Sequence, residues 1–231
     1  MRTETSQPQN KMNYSIEKNG SEFFPSHVLK MIERLSTRHT YPRGIEIFQQ
    51  GSDARVLYFI ESGIIKLRRT EENGNQLIVD LRFPGWLLGA AAAIMQSQHP
   101  VTAITLTRCG LDCLTHDVFL QALKTDTEFS WHIHRMNGHE TLNQCARITS
   151  LACLSARQRL ENWLWKSSGG PLRELSDLES LRFCEIAELI AVTPEHLSRL
   201  MRQLEGEGIL RRQKGSPIAV DRDKLSHQSD Y

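Results

Sequence analysis

Three polar side chains near the C-terminus, Glu195, Ser198 and Arg199, share one face of a predicted helix and suit contact with base edges of DNA. The arginine offers two donors that match O6 and N7 of guanine, whereas the glutamate only accepts and so suits an amino group of cytosine or adenine. The serine is small enough to approach a thymine edge. His196 and Arg202 lie where they could reach phosphate, a contact that positions a protein without specifying sequence. The alternative interpretation is an ordinary amphipathic helix with a solvated charged face.

The surrounding residues predict a helix-turn-helix. Residues 181–210 hold two apolar runs at helical spacing, separated by Ala191 and Val192. Thr193 suits the N-cap of the second helix, and Pro194 suits its first position, where a backbone N–H would have no partner. In such a motif the second helix enters the major groove with its N-terminal end. We therefore predict double-stranded DNA as the partner and Thr193 as a further contact residue.

A basic hairpin is predicted directly after this helix. Gly206 and Gly208 end the helix, and the apolar residues at 209–210 and 218–220 are typical of two short strands. Arg211 and Arg212 lie between these strands, where they are expected to contact phosphate.

The bulk composition excludes several classes of protein. The 231 residues carry a net charge of +1, so DNA affinity must come from local placement of charge and from dimerisation. No apolar run approaches the length of a membrane span, so no membrane partner is expected. The chain has no Gly-rich phosphate loop, zinc-protease motif or nucleophile elbow, and so it is predicted not to be an enzyme.

The cysteines and the N-terminus bear on location. Residues 1–22 are polar, lack the apolar core of a signal peptide and are expected to be disordered. An odd number of cysteines favours a reducing cytoplasm over a disulfide framework. They are Cys109, Cys113, Cys145, Cys153 and Cys184.

An all-β domain is predicted upstream, over residues 23–125 after a short helical entry. Turn signals containing glycine recur between residues 40 and 120, and β-prone runs lie between them. These runs cover residues 45–48, 56–60, 64–67, 77–81, 102–106 and 110–114. Short strands at regular spacing predict an antiparallel sandwich or barrel. With the C-terminal helices, the fold class is α+β.

A long helix is predicted between the two domains, over residues 126–152. Its apolar stripe consists of Phe129, Ile133, Met136, Leu142 and Ala146. An incomplete stripe on a helix between domains suggests coiled-coil pairing with a second copy of the chain, hence a homodimer. The alternative is a helix packed onto its own β domain. Residues 153–231 form the second domain, which begins at a capping box formed by Ser155 and Gln158.

This order of elements resembles the cyclic-AMP receptor protein / fumarate-nitrate regulator (Crp/Fnr) superfamily of transcription regulators. The resemblance covers residues 25–225 and is carried by the motifs at 44–51, 57–63, 84–89, 154–160 and 193–200. It implies a β-roll like that of cyclic-nucleotide-binding domains, a homodimer paired through the long helix, a winged helix-turn-helix and RNA polymerase as a partner. Glu195, Ser198 and Arg199 are similar to the fumarate-nitrate branch, which implies a near-palindromic site with TTGAT-like half-sites.

The resemblance also points to an effector pocket with altered chemistry. Nucleotide-binding members hold the ribose with a Gly-Glu pair and the phosphate with an Arg-Ser/Thr pair. The corresponding residues here are Gly89-Ala90 and Val101-Thr102. A cyclic phosphate would lose its cationic partner, so cyclic AMP is not the expected effector. The alternatives are a different ligand, a haem or redox signal, no effector at all, or a ligand-binding module with weak DNA binding.

Metal and haem sites are alternative hypotheses. Sensor members carry a cysteine cluster near the N-terminus, whereas residues 1–108 contain no cysteine. Cys109, Cys113 and His116 could ligate a metal, but a fourth ligand is not evident. Three histidines of the long helix could form a haem or metal site or a pH-responsive dimer interface, or they are simply solvated; they are His132, His134 and His139. No cofactor and no metal are therefore predicted.

Overall fold

Two antiparallel sheets form the first domain. The computed structural model describes residues 23–169, 181–211, 219–221 and 224–225. The strands are β1 (Thr37–Tyr41), β2 (Glu46–Phe48), β3 (Val56–Ser62), β4 (Ile65–Thr70), β5 (Gln76–Arg82), β6 (Leu87–Leu88), β7 (Thr102–Thr105) and β8 (Cys109–Thr115). One sheet has the order β1-β8-β3-β6 and the other β2-β7-β4-β5, and their pairings are antiparallel.

Helices cover the sheets and connect them to the second domain. They are α1 (Ser26–Leu35), α2 (Ala90–Ile94), α3 (His116–Thr125), α4 (Thr127–Cys153), α5 (Ala156–Gly169), α6 (Phe183–Leu189) and α7 (Pro194–Gly206). A short hairpin of β9 (Leu210–Arg211) and β10 (Ala219–Val220) follows. This arrangement confirms the predicted α+β class, with a β domain, a long helix and a C-terminal helix-turn-helix. No helix in the described ranges is long and apolar enough to cross a membrane.

The core of the β domain is shared by both sheets and by helices α1, α3 and α4. Leu57 and Leu111 come from one sheet, Ile65 and Ala103 from the other, and each is completely buried. Burying an apolar side chain contributes about 1.5–3 kcal/mol relative to leaving it exposed, so this shared core accounts for much of the domain's stability.

One glycine between β3 and β4 is required by the close approach of a neighbouring loop. Gly63 has φ +89°, and a Cβ atom built there would lie 2.4 Å from the carbonyl oxygen of Arg108. A larger residue would have to push this loop away, so the turn depends on glycine.

The long helix α4 packs onto its own β domain in its first half, which corrects part of the prediction. Phe129 and Ile133 are fully buried in the core of the β domain, and Met136 is 3 % exposed. Assigning these three to a dimer contact was wrong, because side chains already covered by their own chain offer no surface to a second one. Leu142 is exposed and Ala146 is half-buried, so their place in a dimer contact stays a prediction.

A different face of α4 is uncovered. Residues at alternating spacings of three and four are exposed along it: Trp131, His134, Gly138, Thr141, Cys145 and Ile148. We call these six residues, together with the adjacent Leu142, the open face of α4. Alternation of three and four is the period of helices that pair as a coiled coil.

The second domain has its own apolar core. Its helix α5 begins at the predicted capping box, in which the Ser155 amide donates to Oε1 of Gln158 at 2.9 Å and the Gln158 amide donates to the Ser155 hydroxyl at 3.3 Å. The helix continues to Gly169. The core of this second domain comprises buried residues of α5, α6, α7 and the hairpin, including Leu160, Leu164, Ala187, Leu197, Leu200, Met201, Leu204 and Leu210.

Candidate functional site

The turn between α6 and α7 is tight and is held by one arginine of α5. Ala191 adopts a left-handed conformation with φ 54°, which lets the Val192 amide donate to the Ala187 carbonyl at 3.0 Å. Arg159 donates to the carbonyls of Ile190 at 2.9 Å and Ala191 at 3.3 Å. The angle between the two helices is therefore fixed by backbone geometry and by a side chain outside the motif.

The start of α7 confirms the predicted cap. The Thr193 hydroxyl accepts from the His196 amide at 3.2 Å, and Pro194 occupies the first turn. Capping by threonine stabilises a helix by about 1 kcal/mol. The Thr193 side chain is exposed at the tip of the helix that would enter a groove.

The predicted polar face of α7 points away from the protein. Glu195 and Arg199 are exposed, and Ser198 is half-buried between them. The opposite side is buried and consists of Leu197, Leu200, Met201 and Leu204. A helix anchored on one side and open on the other has the geometry that groove recognition requires.

Contacts within the protein determine the ionisation of Glu195 on this face. Hydrogen bonds from the Glu195 backbone amide and with the Thr193 side chain lower the pKa of the Glu195 carboxyl, and Arg199 adds a smaller Coulombic contribution. Glu195 is therefore an acceptor at neutral pH. Arg202 donates to the Ser198 carbonyl at 3.4 Å and to its hydroxyl at 3.5 Å, so it covers one side of the serine, while His196 is half-buried at the helix start.

The hairpin after α7 is present as two paired strands. Leu210 pairs with Val220, and Arg211 pairs with Ala219. Arg211 thus lies in β9, next to the hairpin connection, whereas Arg212 lies outside the described residues. Phosphate contacts by either residue stay a prediction.

A pocket of about 360 Å³ lies in the β domain against α4, and three of the four predicted effector residues line it. Gly89, Ala90 and Val101 contribute to its wall, but Thr102 does not. The Thr102 hydroxyl instead accepts from the Gln50 amide at 3.0 Å, which corrects its assignment.

The pocket contains groups that sequence reasoning missed. The guanidinium of Arg82 is buried, forms hydrogen bonds with Asp80 and Glu140, and lies 4.3 Å from the centroid of the Trp86 ring. Asp80 and Arg82, two residues apart in a strand, face the same side, and this charged pair in an apolar run was a usable signal. Glu140 comes from α4, and no local pattern could have placed it there.

The rest of the lining is mostly apolar and aromatic, and Asn137 and Gln144 are further polar groups in it. His99 stacks on Phe48 with ring centroids 3.8 Å apart, and burial lowers the pKa of His99, which favours its neutral form. Both arginines of the pocket wall are already paired, Arg82 as above and Arg69 with Glu71 at 2.6 Å. The lining thus presents no cation without a counter-charge to a phosphate.

The cysteine hypothesis finds no support in the geometry. Cys109 and Cys113 lie four residues apart in β8, which separates them by about 13 Å, too far for a disulfide. Burial raises the pKa of both thiols, so neither is an activated thiolate. His116, at the start of α3, pairs with Asp117 at 3.2 Å. In the described part of the chain, no three His, Cys, Asp or Glu residues come together as metal ligands.

The histidines of α4 do not share one accessible face. His132 is buried, with its ring 6.0 Å from that of Phe24, and His139 lies edge-on to Phe23 at 5.1 Å. Only His134 belongs to the open face of α4. His132, which its own chain covers, therefore presents no ring to a haem or metal site at a dimer interface.

Two family models match this chain, one for each folded domain and in the same order along the sequence. Residues 38–126 match the cyclic nucleotide-binding domain, and residues 158–227 match the Crp-like helix-turn-helix domain. The chain is 26% identical over 175 residues to the cyclic AMP receptor protein of Thermus thermophilus, a match that covers 75% of this chain and 79% of that protein. It is 28% identical over 170 residues to the anaerobic regulatory protein of Pasteurella multocida, covering 71% and 61%.

Solved structures show the same fold. The c-di-GMP responsive global regulator CLP of Xanthomonas campestris superposes with a TM-score of 0.73 at 20% identity, covering 84% of this chain and 98% of that one. FixK2 of Bradyrhizobium japonicum gives a TM-score of 0.66 at 18% identity, covering 82% and 95%. The relatives are regulators of transcription and not enzymes. With both domains present in this order, the chain belongs to the Crp/Fnr family of DNA-binding transcription regulators.

Proposed function

We propose that this protein binds a near-palindromic DNA site with TTGAT-like half-sites as a homodimer, without cyclic AMP. The observation that carries the proposal is the exposed face of α7, on which an ionised Glu195 and an exposed Arg199 flank Ser198 above a buried apolar side. RNA polymerase is the further partner that we propose for the DNA-bound dimer.

The open face of α4 supports the dimer. Its spacing suits pairing with an identical helix, and it leaves large apolar groups uncovered, with Trp131 62% and Ile148 65% exposed. A twofold dimer would present its two α7 helices to successive major grooves, which is why a near-palindromic site fits.

The direct test is fluorescence anisotropy with a duplex that carries TTGAT-N4-ATCAA, beside a scrambled duplex at the same physiological salt. We expect selective binding by the purified protein without added ligand. Arg199→Ala should weaken binding to the TTGAT duplex by about 1–3 kcal/mol for each half-site, because a bidentate contact to guanine is lost.

Arg55→Ala is the matched control. Its side chain is 84% exposed and pairs with Asp53 in the β domain, so the substitution removes the same charge far from α7. The control should bind like the wild type. Equal weak binding to both duplexes by the wild-type protein would contradict the proposed site.

The pocket supports independence from cyclic AMP. Ala90 and Val101 line the wall without offering an acceptor for ribose hydroxyls or a cation for phosphate, and the Arg82 guanidinium is already held by Asp80 and Glu140. Burying a cyclic phosphate there would leave its charge uncompensated.

We therefore expect saturating cyclic AMP to leave DNA affinity unchanged. Anisotropy titrations with and without the nucleotide measure this, and an increase of about tenfold, equivalent to 1.4 kcal/mol, would contradict the proposal. Adenosine serves as the control for effects of the base alone.

A further inference from the structure

The DNA-binding domain is docked on the β domain through a buried apolar cluster. The β domain contributes Ile64, Ile78, Leu81, Phe83 and Leu106, and the second domain contributes Leu181 with Trp163, Ile186 and Leu189 packed against it. Helix α6 thus lies directly on the hairpin formed by β4 and β5. The polar face of α7 is not part of this contact and stays exposed.

A buried ion pair crosses the same contact. The ammonium group of Lys66 in β4 lies 2.7 Å from Oε1 of Glu185 in α6, and the two residues are only 4 % and 2 % exposed. Arg182 at 3.2 Å and Arg43 at 3.7 Å also face this carboxylate. Removing one member of such a pair leaves a buried charge with less compensation, which is strongly unfavourable.

This ion pair includes a residue of α6, and the recognition helix α7 packs on α6. The Arg182 amide donates to Oε2 of Glu185 at 2.8 Å, so the carboxylate that binds Lys66 also caps α6. Helices α6 and α7 share one apolar core, and the turn between them is fixed by Arg159. A shift at Glu185 therefore moves the polar face of α7.

We infer that Lys66, through its ion pair with Glu185, is a positioning residue that holds the DNA-binding domain at one place on the β domain and so sets the half-site spacing that the dimer prefers. The inference rests on the proposed binding of DNA by a homodimer. In a dimer joined through α4, the distance between the two recognition helices depends on where each DNA-binding domain is docked. The DNA-binding domain is docked in this way in the single chain, and the polar face of α7 is accessible to DNA in that position.

The experiment uses the full-length protein and Lys66→Met, which keeps the aliphatic stem and removes the charge. Lys124→Met is the matched control, because it makes the same change at an exposed lysine of α3, in the β domain. Anisotropy is measured on duplexes with two TTGAT half-sites separated by about two to six base pairs, and on a single half-site. Hydrogen exchange of α6 is measured on the free proteins.

The wild type and Lys124→Met should prefer one spacing about tenfold over the others, whereas Lys66→Met should bind all spacings within about threefold. The single half-site should bind all three proteins equally, and exchange in α6 should rise about tenfold in Lys66→Met. Unchanged exchange together with an unchanged spacing preference in Lys66→Met would overturn the inference.

Two further arms keep the result decisive. If Lys66→Met does not fold, Glu185→Gln takes its place, because glutamine still accepts from the Arg182 amide as a cap but removes the negative charge. If the wild type binds none of the duplexes, the proposed DNA function fails, while α6 exchange still decides whether Lys66 holds the two domains together.

Discussion

Ala191 occupies a backbone conformation in which an L-amino acid is strained. Its φ of 54° lies in the left-handed region, where a Cβ atom approaches the following carbonyl and costs roughly 1–2 kcal/mol. The structure keeps this conformation because Arg159 binds the carbonyls on both sides of the bend, at Ile190 and Ala191. The tight turn is thus imposed by its surroundings rather than by a glycine.

Ala191→Gly should therefore stabilise the protein by about 0.5–1 kcal/mol, because relief of strain exceeds the extra entropy of glycine in the unfolded chain. Urea unfolding measures this as a higher midpoint with an unchanged slope. The control Ala187→Gly, inside helix α6, should destabilise by about 1 kcal/mol or more. A lower midpoint for Ala191→Gly would contradict the strain argument.

At this scale, local patterns predicted the cap and the buried side of α7, but they missed the charged groups of the pocket. The Thr193 cap and the apolar side of α7 both depend on spacing within one helix, so they can be predicted from the sequence. The partners of Arg82 come from its own strand and from α4, 58 residues away along the chain, and spacing along one element does not identify such a contact. Thr102 was misplaced because its hydroxyl binds the Gln50 amide, 52 residues away along the chain, and no local pattern identifies such a contact.

Among the elements, α4 shows what a periodic sequence pattern can predict and what it cannot. Its stripe at Phe129, Ile133 and Met136 correctly predicted a buried face, but the period does not say which surface covers that face.

The six predicted strands of the β domain are present as β2, β3, β4, β5, β7 and β8. Strand β1 was missed because its sequence, TRHTY, is polar and four of its five residues are exposed.

Two substitutions in α4 should separate its two faces. Phe129→Ala should lower the free energy of unfolding by about 3–5 kcal/mol, since it empties a fully buried site in the β domain. Leu142→Asp should leave the unfolding of the protomer nearly unchanged but weaken dimerisation, because it places a charge on the open face of α4.

Thermal unfolding at low protein concentration and sedimentation velocity over a range of concentrations measure the two effects. Asn73→Asp is the control for added charge, because this exposed residue lies in the turn between β4 and β5 and an aspartate there still accepts from the Asn75 amide. A dimer that resists Leu142→Asp would show that a different surface joins the two copies.

Across the whole molecule, the contact between the domains should depend on pH. Burial opposes ionisation of Glu185, but hydrogen bonds from Lys66 and Arg182 outweigh it, and together they hold the pKa of this carboxyl below its ordinary value. Arg43 is the other charged group that faces it. A carboxyl with a lowered pKa in the folded state stabilises that state above its unfolded pKa, and this contribution is lost as the pH falls through the folded value.

We therefore expect the domains to stay docked between about pH 7 and pH 5 and to separate at more acidic pH, as Glu185 becomes protonated and Lys66 loses its counter-charge. Small-angle X-ray scattering measures this as an increase in radius of gyration. Glu185→Gln should show the larger radius already at neutral pH. A wild-type radius that stays constant down to about pH 3 would contradict the expectation.

One further side chain touches both domains and has a consequence for which substitutions the protein tolerates. Arg147 of α4 donates to the carbonyl of Ile78 in the β domain at 2.8 Å and to the carbonyl of Leu189 in α6 at 3.0 Å. Both acceptors are main-chain oxygens, which every amino acid supplies. Saturation mutagenesis should consequently find position 147 restricted to arginine, whereas positions 78 and 189 need only keep their apolar character. The chain can thus drift in sequence on both sides of this contact without losing it.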